Sequence, residues 1–210
     1  MIFTLEQPIP QGGGTISLRC PACRQMGTFA PLENLLDLLL ADRRVFLGQR
    51  RCPNAGCHAH VFAAWEVDSR KVLISYPAQR IDFDASQIPT PIAAALEEAI
   101  TCHANGCFIA AGIMVRKTLE ELCEDRQAKG KTLKDRIADL GTKLVLPKEL
   151  LDGLDALRLL GNDAAHIESK TFNQVGQQEV ELALDVTKEV LKAVYQYQNL
   201  VQRLQALRKP

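Results

Sequence analysis

Leu18-Arg19-Cys20-Pro21-Ala22-Cys23 decides how the front of this chain is read, and Arg51-Cys52-Pro53-Asn54-Ala55-Gly56-Cys57 repeats its theme. Two thiols separated by two to four residues can grip one metal from a tight turn. The prolines and the glycine inside the pairs supply that turn. Four thiolates suit a tetrahedral, soft-ligand site with no open position. The spacing therefore predicts Cys20, Cys23, Cys52 and Cys57 as the ligands of one structural Zn2+ ion. His58 and His60 stand beside Cys57 and are the alternative donors.

Around the pairs the pattern is β. Thr15-Ile16-Ser17-Leu18 alternates into the first pair, and Val45-Phe46-Leu47 runs towards the second. Val61-Phe62 and Val72-Leu73-Ile74 follow, with Asp68-Ser69-Arg70 as a hairpin turn. Between the pairs, Leu35, Leu36, Leu39 and Leu40 have helical spacing and predict a short crossover helix. With its paired cysteines, this segment resembles a zinc ribbon. So small a segment has little apolar core, and a metal would supply much of its folding free energy. Arg19, Arg24, Arg43, Arg44, Arg50 and Arg51 cluster around the cysteines, either as a solvated rim or as contacts for phosphates.

The bulk numbers bound the rest. The chain has 210 residues, 25 basic and 25 acidic, and a formal net charge of zero. No global positive field points to nucleic acid, so contact with RNA or DNA needs a local patch. Aromatic residues make up 5% of the chain, which favours packed helices over a β-sandwich for the remainder. Met1 to Gly14 has neither a basic start nor a long apolar run, and no stretch reaches the ~18 apolar residues of a membrane span. The expectation is a cytoplasmic protein in a reducing compartment, where spaced cysteines bind metal instead of forming disulfides.

Residues 78–89 lose periodicity and read as a linker, which divides the chain into residues 1–86 and 87–210. Thr90-Pro91 opens a helix with Thr as cap. Its stripe is Ile92, Ala95, Leu96, Ala99 and Ile100. A short break at His103-Ala104-Asn105-Gly106 predicts an antiparallel return helix carrying Phe108, Ile109, Ile113, Leu119 and Leu122. Thr132 caps a third helix closed by Gly141, and Pro147 starts a fourth that ends at Gly161. The last helix begins near Val175, and its stripe runs through Val180, Leu184, Thr187, Leu191, Val194, Val201 and Leu204. At 1.5 Å per residue it reaches roughly 50 Å, more than a compact bundle needs. Its end is therefore expected to project, to pack on the ribbon or to pair with another subunit.

Ile88-Pro89, Glu98-Ala99, Ala110-Ala111, Val115-Arg116-Lys117-Thr118-Leu119-Glu120 and Gly161-Asn162-Asp163-Ala164-Ala165-His166 together resemble the bacterial family called domain of unknown function 4145. That family is similar to the HEPN superfamily of helical bundles. The resemblance implies an all-α, HEPN-like antiparallel bundle for about residues 88–200, and with the β-rich ribbon read ahead of it the expected fold is α+β. It also implies frequent homodimers, and a setting in phage defence or toxin–antitoxin systems with RNA as the substrate class.

Arg158, Asn162 and His166 recur at every fourth position and share one face of a helix. As a ribonuclease site, His166 would take a ribose proton and Arg158 or Arg116 would hold the phosphorane charge, without a metal. Gly161 precedes Asn162 where active HEPN ribonucleases carry the arginine. The competing reading is structural: Gly161 ends one helix, Asn162 or Asp163 caps the next, and His166 ties helices together. Arg116 is expected to pair with Glu98 across the first helical hairpin. Cys102 and Cys107 offer a second metal site, while Cys123 reads as core. Gly12-Gly13-Gly14 lacks the lysine and helix of a phosphate loop. Three functions remain open: a module that binds nucleic acid or an unidentified partner protein, a ribonuclease, and a structural dimerisation protein.

Overall fold

The computed structural model describes residues 9–166 and 175–207. The chain forms two compact units that divide between Asp82 and Phe83. It is an α+β protein, with a curled antiparallel sheet in the first unit and helices in the second.

The sheet has seven strands among the described residues: β1 (Ile9–Gln11), β2 (Ile16–Arg19), β3 (Met26–Pro31), β4 (Asp37–Leu40), β5 (Val45–Arg51), β6 (His60–Glu66) and β7 (Val72–Tyr76). β5 is its centre. One edge of β5 pairs with β4 near Val45 and Leu47 and with β3 near Arg50 and Arg51. The other edge pairs with β6 along its whole length, and β7 follows β6. Alternation drives the burial. Ile16 and Leu18 of β2 face inward with Phe29, Phe46, Val61, Ala63 and Trp65, and Cys20 and Cys52 close the end of that core. The hairpin at residues 67–70 forms as its sequence predicts. Arg70 sits at φ 59°, and the Glu66 amide donates to the Lys71 carbonyl at 3.0 Å.

The crossover helix expected at Leu35 to Leu40 is not there. Leu35 and Leu36 lie just ahead of β4, and within it Leu38 lies across from Leu47 and Leu40 across from Val45. A run of leucines satisfies both a 3.6-residue and a 2-residue period, and the open edge of β5 selects the strand. Asp37 adds a second reason. Its carboxylate accepts both terminal nitrogens of Arg50 at 2.7 Å and the Gly13 amide at 2.6 Å. The guanidinium lies 4.1 Å from the centre of the Trp65 ring, and Arg50 is 0% exposed. Arg50 therefore belongs to the core and not to a solvated rim. Gly48 permits the pair, because a Cβ there would overlap the Asp37 carboxylate.

The helical unit contains α1 (Thr90–Ala104), α2 (Phe108–Asp125), α3 (Leu133–Lys143), α4 (Lys148–Ala165) and α5 (Gln177–Leu191). A π-helical turn, Lys192–Gln196, carries α5 on into α6 (Tyr197–Ala206) without a break. α2 is the hub and packs on α1, α3, α4 and α5. Its buried residues Ala111, Val115, Leu119 and Leu122 recur at helical spacing. Thr132 caps α3 as expected: it accepts from the Asp135 amide at 3.2 Å, and the Asp135 carboxylate accepts the Thr132 amide at 3.1 Å. Three boundaries differ from the sequence reading. Thr90 is inside α1, with Pro89 at the cap position. α3 runs past Gly141, and α4 runs straight through Gly161. No helix among the described residues is long and apolar enough to cross a membrane.

Candidate functional site

The four paired cysteines come together at one end of the sheet. Their sulfurs all lie within 4.8 Å of one another, with Cys20 to Cys57 and Cys23 to Cys52 each at 3.8 Å. Disulfide bonding requires ~2.05 Å, so these are not disulfides. A tetrahedron of metal–sulfur bonds of ~2.3 Å has edges of ~3.8 Å, which Cys20–Cys57 and Cys23–Cys52 match, and the other sulfur pairs lie within 4.8 Å.

The backbone builds the two turns alike. In the first, the Arg24 amide donates to the Cys20 carbonyl at 2.9 Å and the Cys20 amide to the Gln25 carbonyl at 2.9 Å. In the second, the Cys57 amide donates to the Asn54 carbonyl and the Cys52 amide to the Ala59 carbonyl, both at 2.9 Å. Each turn is closed by the residue just after its second cysteine in a left-handed conformation, Arg24 at φ 63° and His58 at φ 50°. Amides thus converge on the sulfurs. The Gln25 amide brings the Cys23 thiol down to about 7, whereas burial carries Cys52 up to about 12. A cation among the sulfurs would reverse the Cys52 shift, since coordination deprotonates a thiol outright.

His58 and His60 are exposed and outside this group. Cys102, Cys107 and Cys123 do not assemble a second site. Among the described residues, the four paired cysteines are the one group of three or more donors close enough to share an ion. Most arginines near the turns are committed. Arg19 pairs with Asp82, Arg44 with Asp68 at 2.5 Å, and Arg50 with Asp37. Arg51 makes no ion pair among the described residues.

In the helical unit, Arg158, Asn162 and His166 lie along α4, but the structure joins only some of them. Arg158 is bound by Asp155 at 2.8 Å. Asn162 accepts from Arg116 of α2 at 2.5 Å, and Arg116 also reaches Glu120 at 3.2 Å. The ion-pair partner of Arg116 is therefore Glu120, one turn along its own helix, and not the exposed Glu98. Helix spacing explains this, because i and i+4 meet without any tertiary adjustment. His166 caps the end of α4 through its amide, which donates to the Asn162 carbonyl at 2.9 Å, and its side chain is exposed. Among the described residues it makes no side-chain bond that would tie helices together.

Gly161 holds this cluster in place. A Cβ there would collide with the Cβ of Arg116, and one at Gly112 of α2 would come within 3.1 Å of Ala164. Gly112, Gly161 and Ala164 thus let α2 and α4 cross closely, and that crossing delivers Arg116 to Asn162. Two groups were not legible as a site in the sequence. One is the buried Asp37–Arg50 pair; the other is an exposed row of β6 and β7 that contains Phe62 and Tyr76.

Comparison with curated proteins and with solved structures gave no match. The family model for the domain of unknown function (DUF4145) matches residues 97–208. That span runs from the middle of α1 to the end of α6, including the α2–α4 crossing and the Arg116–Asn162 contact, and the four paired cysteines lie ahead of it. Since the match takes in more than half of the chain, the protein belongs to the DUF4145 family.

Proposed function

We propose that this chain is a zinc-held binding module for nucleic acid or a partner protein, with Zn2+ in a purely structural role. The observation that carries the metal assignment is the convergence of four sulfurs within 4.8 Å, two pairs of them at 3.8 Å. Four soft donors with no open position suit Zn2+ and leave no place for a reacting water. When bound, the ion supplies a cross-link between the two turns, on the order of 10–16 kcal/mol in isolated zinc peptides. Thiols of this kind suit a reducing compartment, and the cytoplasm is the one we propose. Elemental analysis of purified protein tests the assignment. One zinc per chain is expected, with loss on Cys52→Ser. Iron or no metal, after purification under reducing conditions with zinc supplied, overturns it.

A division at 86/87 accompanies this reading, with residues 1–86 folding around the metal and residues 87–210 forming a helical bundle of HEPN type. A second copy of the chain is the partner we assign to α6. Tyr197, Leu200, Val201, Leu204 and Leu207 are exposed at heptad-like spacing, with Leu204 at 69% and Leu207 at 81%. Gln198, Asn199, Gln202 and Gln205 of the same helix are uncharged, and Arg203 is the charged residue among its described positions beside the seam. Pairing two such seams buries on the order of 1,000 Å², the threshold of a stable interface. Sedimentation should give a dimer that Leu204→Glu dissociates. A wild-type monomer at tens of micromolar would overturn the pairing.

A metal-independent ribonuclease is the second reading, favoured by one observation: His166 is exposed a turn beyond the Arg116–Asn162 contact. There His166 would take the ribose 2′-hydroxyl proton and Arg116 would hold the phosphate. Arg158, tied to Asp155, is the weaker candidate. Incubation with single-stranded RNA in chelator separates the readings. Cleavage abolished by His166→Ala with an unchanged melt supports the enzyme, and intact RNA supports the binding module.

A further inference from the structure

The sheet has a second face. Directly opposite residues point the same way, and alternate residues share a face. By register, Gln49, Phe62 and Tyr76 form one row across β5, β6 and β7. Arg51 and His60 form the next row, roughly 7 Å along the strands. Ile74 lies two residues from Tyr76 on the same face. Leu47 and Ala64, further along, are buried. The half carrying Gln49, Arg51, His60, Phe62, Ile74 and Tyr76 is open. Phe62 is 49% exposed and Tyr76 77%.

An exposed aromatic pair is unusual on a sheet that has a core on its other side, because a soluble protein gains nothing from wetting two rings. Here the pair is bordered by cationic or neutral donors, and none of the six open positions is acidic. Arg51 is also an arginine at the cysteine turns without an ion pair among the described residues. Among the described residues no carboxylate neutralises its guanidinium, while Arg19, Arg44 and Arg50 are each held by one.

We infer that the open face of β5, β6 and β7 is a binding platform for single-stranded nucleic acid. Unpaired bases stack on Phe62 and Tyr76, and Arg51 and His60 receive the phosphates. Neighbouring strands set the two rings about 5 Å apart at their Cβ atoms, so they present a continuous surface on which bases can lie. Stacking of this kind is indifferent to base identity, because every base has a π-face, and phosphate contact makes the binding salt-dependent. The interior of a duplex is excluded, since its paired bases are already stacked on each other. A protein partner is the less favoured occupant, because an apolar partner surface would leave Arg51 and His60 facing it without anions. The inference rests on the nucleic-acid half of the proposed function and gives it a location.

The test uses the full zinc-loaded chain and short labelled oligo-dT, oligo-U and duplex probes, with affinity read by fluorescence anisotropy at several salt concentrations. Phe62→Ala and Tyr76→Ala should each weaken single-strand binding roughly tenfold or more. Tyr76→Phe should restore it. Arg51→Gln should reduce the salt slope by about one. Zinc content and melting should be unchanged in the aromatic variants, because those side chains are exposed. Ile113→Ala, an exposed change in the helical unit, should have no effect on binding. Equal preference for oligo-dT and oligo-U supports stacking, and a strong preference for oligo-U adds a 2′-hydroxyl contact to the same platform. If the wild type binds and the aromatic variants bind equally well, the platform is wrong while nucleic-acid binding stands. If no probe binds, both fall. If Phe62→Ala alters only self-association, the face is a protein interface and the inference is overturned.

Discussion

Gly161 sits where α2 and α4 come closest, against the Cβ of Arg116. Two effects oppose each other in Gly161→Ala. Alanine is the better helix former by ~1 kcal/mol. The added methyl meets a Cβ anchored to the backbone, which cannot swing aside, and overpacking of this kind costs ~1–3 kcal/mol. Overpacking wins, so thermal melting should fall by a few degrees. The Arg116–Asn162 contact should also loosen. An equal or higher melting temperature would show that the helices separate freely. Asp37 makes a sharper case. Arg50 is 0% exposed and both terminal nitrogens depend on that carboxylate. Asp37→Ala strands a buried cation, at a cost of roughly 3–5 kcal/mol. Chemical denaturation followed by Trp65 fluorescence measures it, because Trp65 is the one tryptophan in the chain and lies against Arg50.

α3 shows how an element depends on its ends. It is short, and its N-terminus is held by the Thr132–Asp135 capping box. Thr132→Ala should cost about 1 kcal/mol, visible in the helical melt. Charge adds a pH dependence. The Thr132 hydroxyl and amide hold the Asp135 carboxyl below its usual range, Lys143 does the same for Asp139, and Arg158 for Asp155. A carboxyl with a depressed folded-state pKa stabilises fully above its unfolded value of ~3.9. That contribution disappears as pH falls through the folded value. Melting of the helical unit should therefore be flat from neutral pH to about pH 5 and decline below about pH 4. Thr132→Ala should make the acid decline shallower. A decline unaffected by the variant would rule out Asp135 as a contributor.

At the scale of the whole molecule, the two units draw on different sources of stability. The helical unit buries a full apolar interior around α2. The sheet unit closes its end with Cys20 and Cys52, which are themselves part of its core. With the proposed Zn2+ held at that end, its removal should unfold the sheet and leave the helices intact. Chelation should shift Trp65 emission to the red while the helical circular dichroism signal persists. Simultaneous loss of both signals would mean that the helices need the metal as well.

Much of this organisation was legible in local sequence. The cysteine pairs, the Asp68-Ser69-Arg70 turn, the Thr132 cap and the apolar stripes each depend on residues within a few positions of one another. Chain geometry alone turns such spacing into structure, and so the sequence by itself determined the two-part α+β plan, the grouping of the four paired cysteines and the family. Other features depend on residues far apart in the chain. Leu38 and Leu40 became a strand because the edge of β5 was open to them. Gly161, with the look of a helix stop, became a contact because Arg116 arrives from α2. Arg50 left the surface because Asp37, thirteen residues earlier, holds it inside. Phe62 and Tyr76 became neighbours only through the pairing of β6 with β7. Close packing selects among the alternatives that local periodicity leaves equal, and that selection was made by the tertiary structure alone.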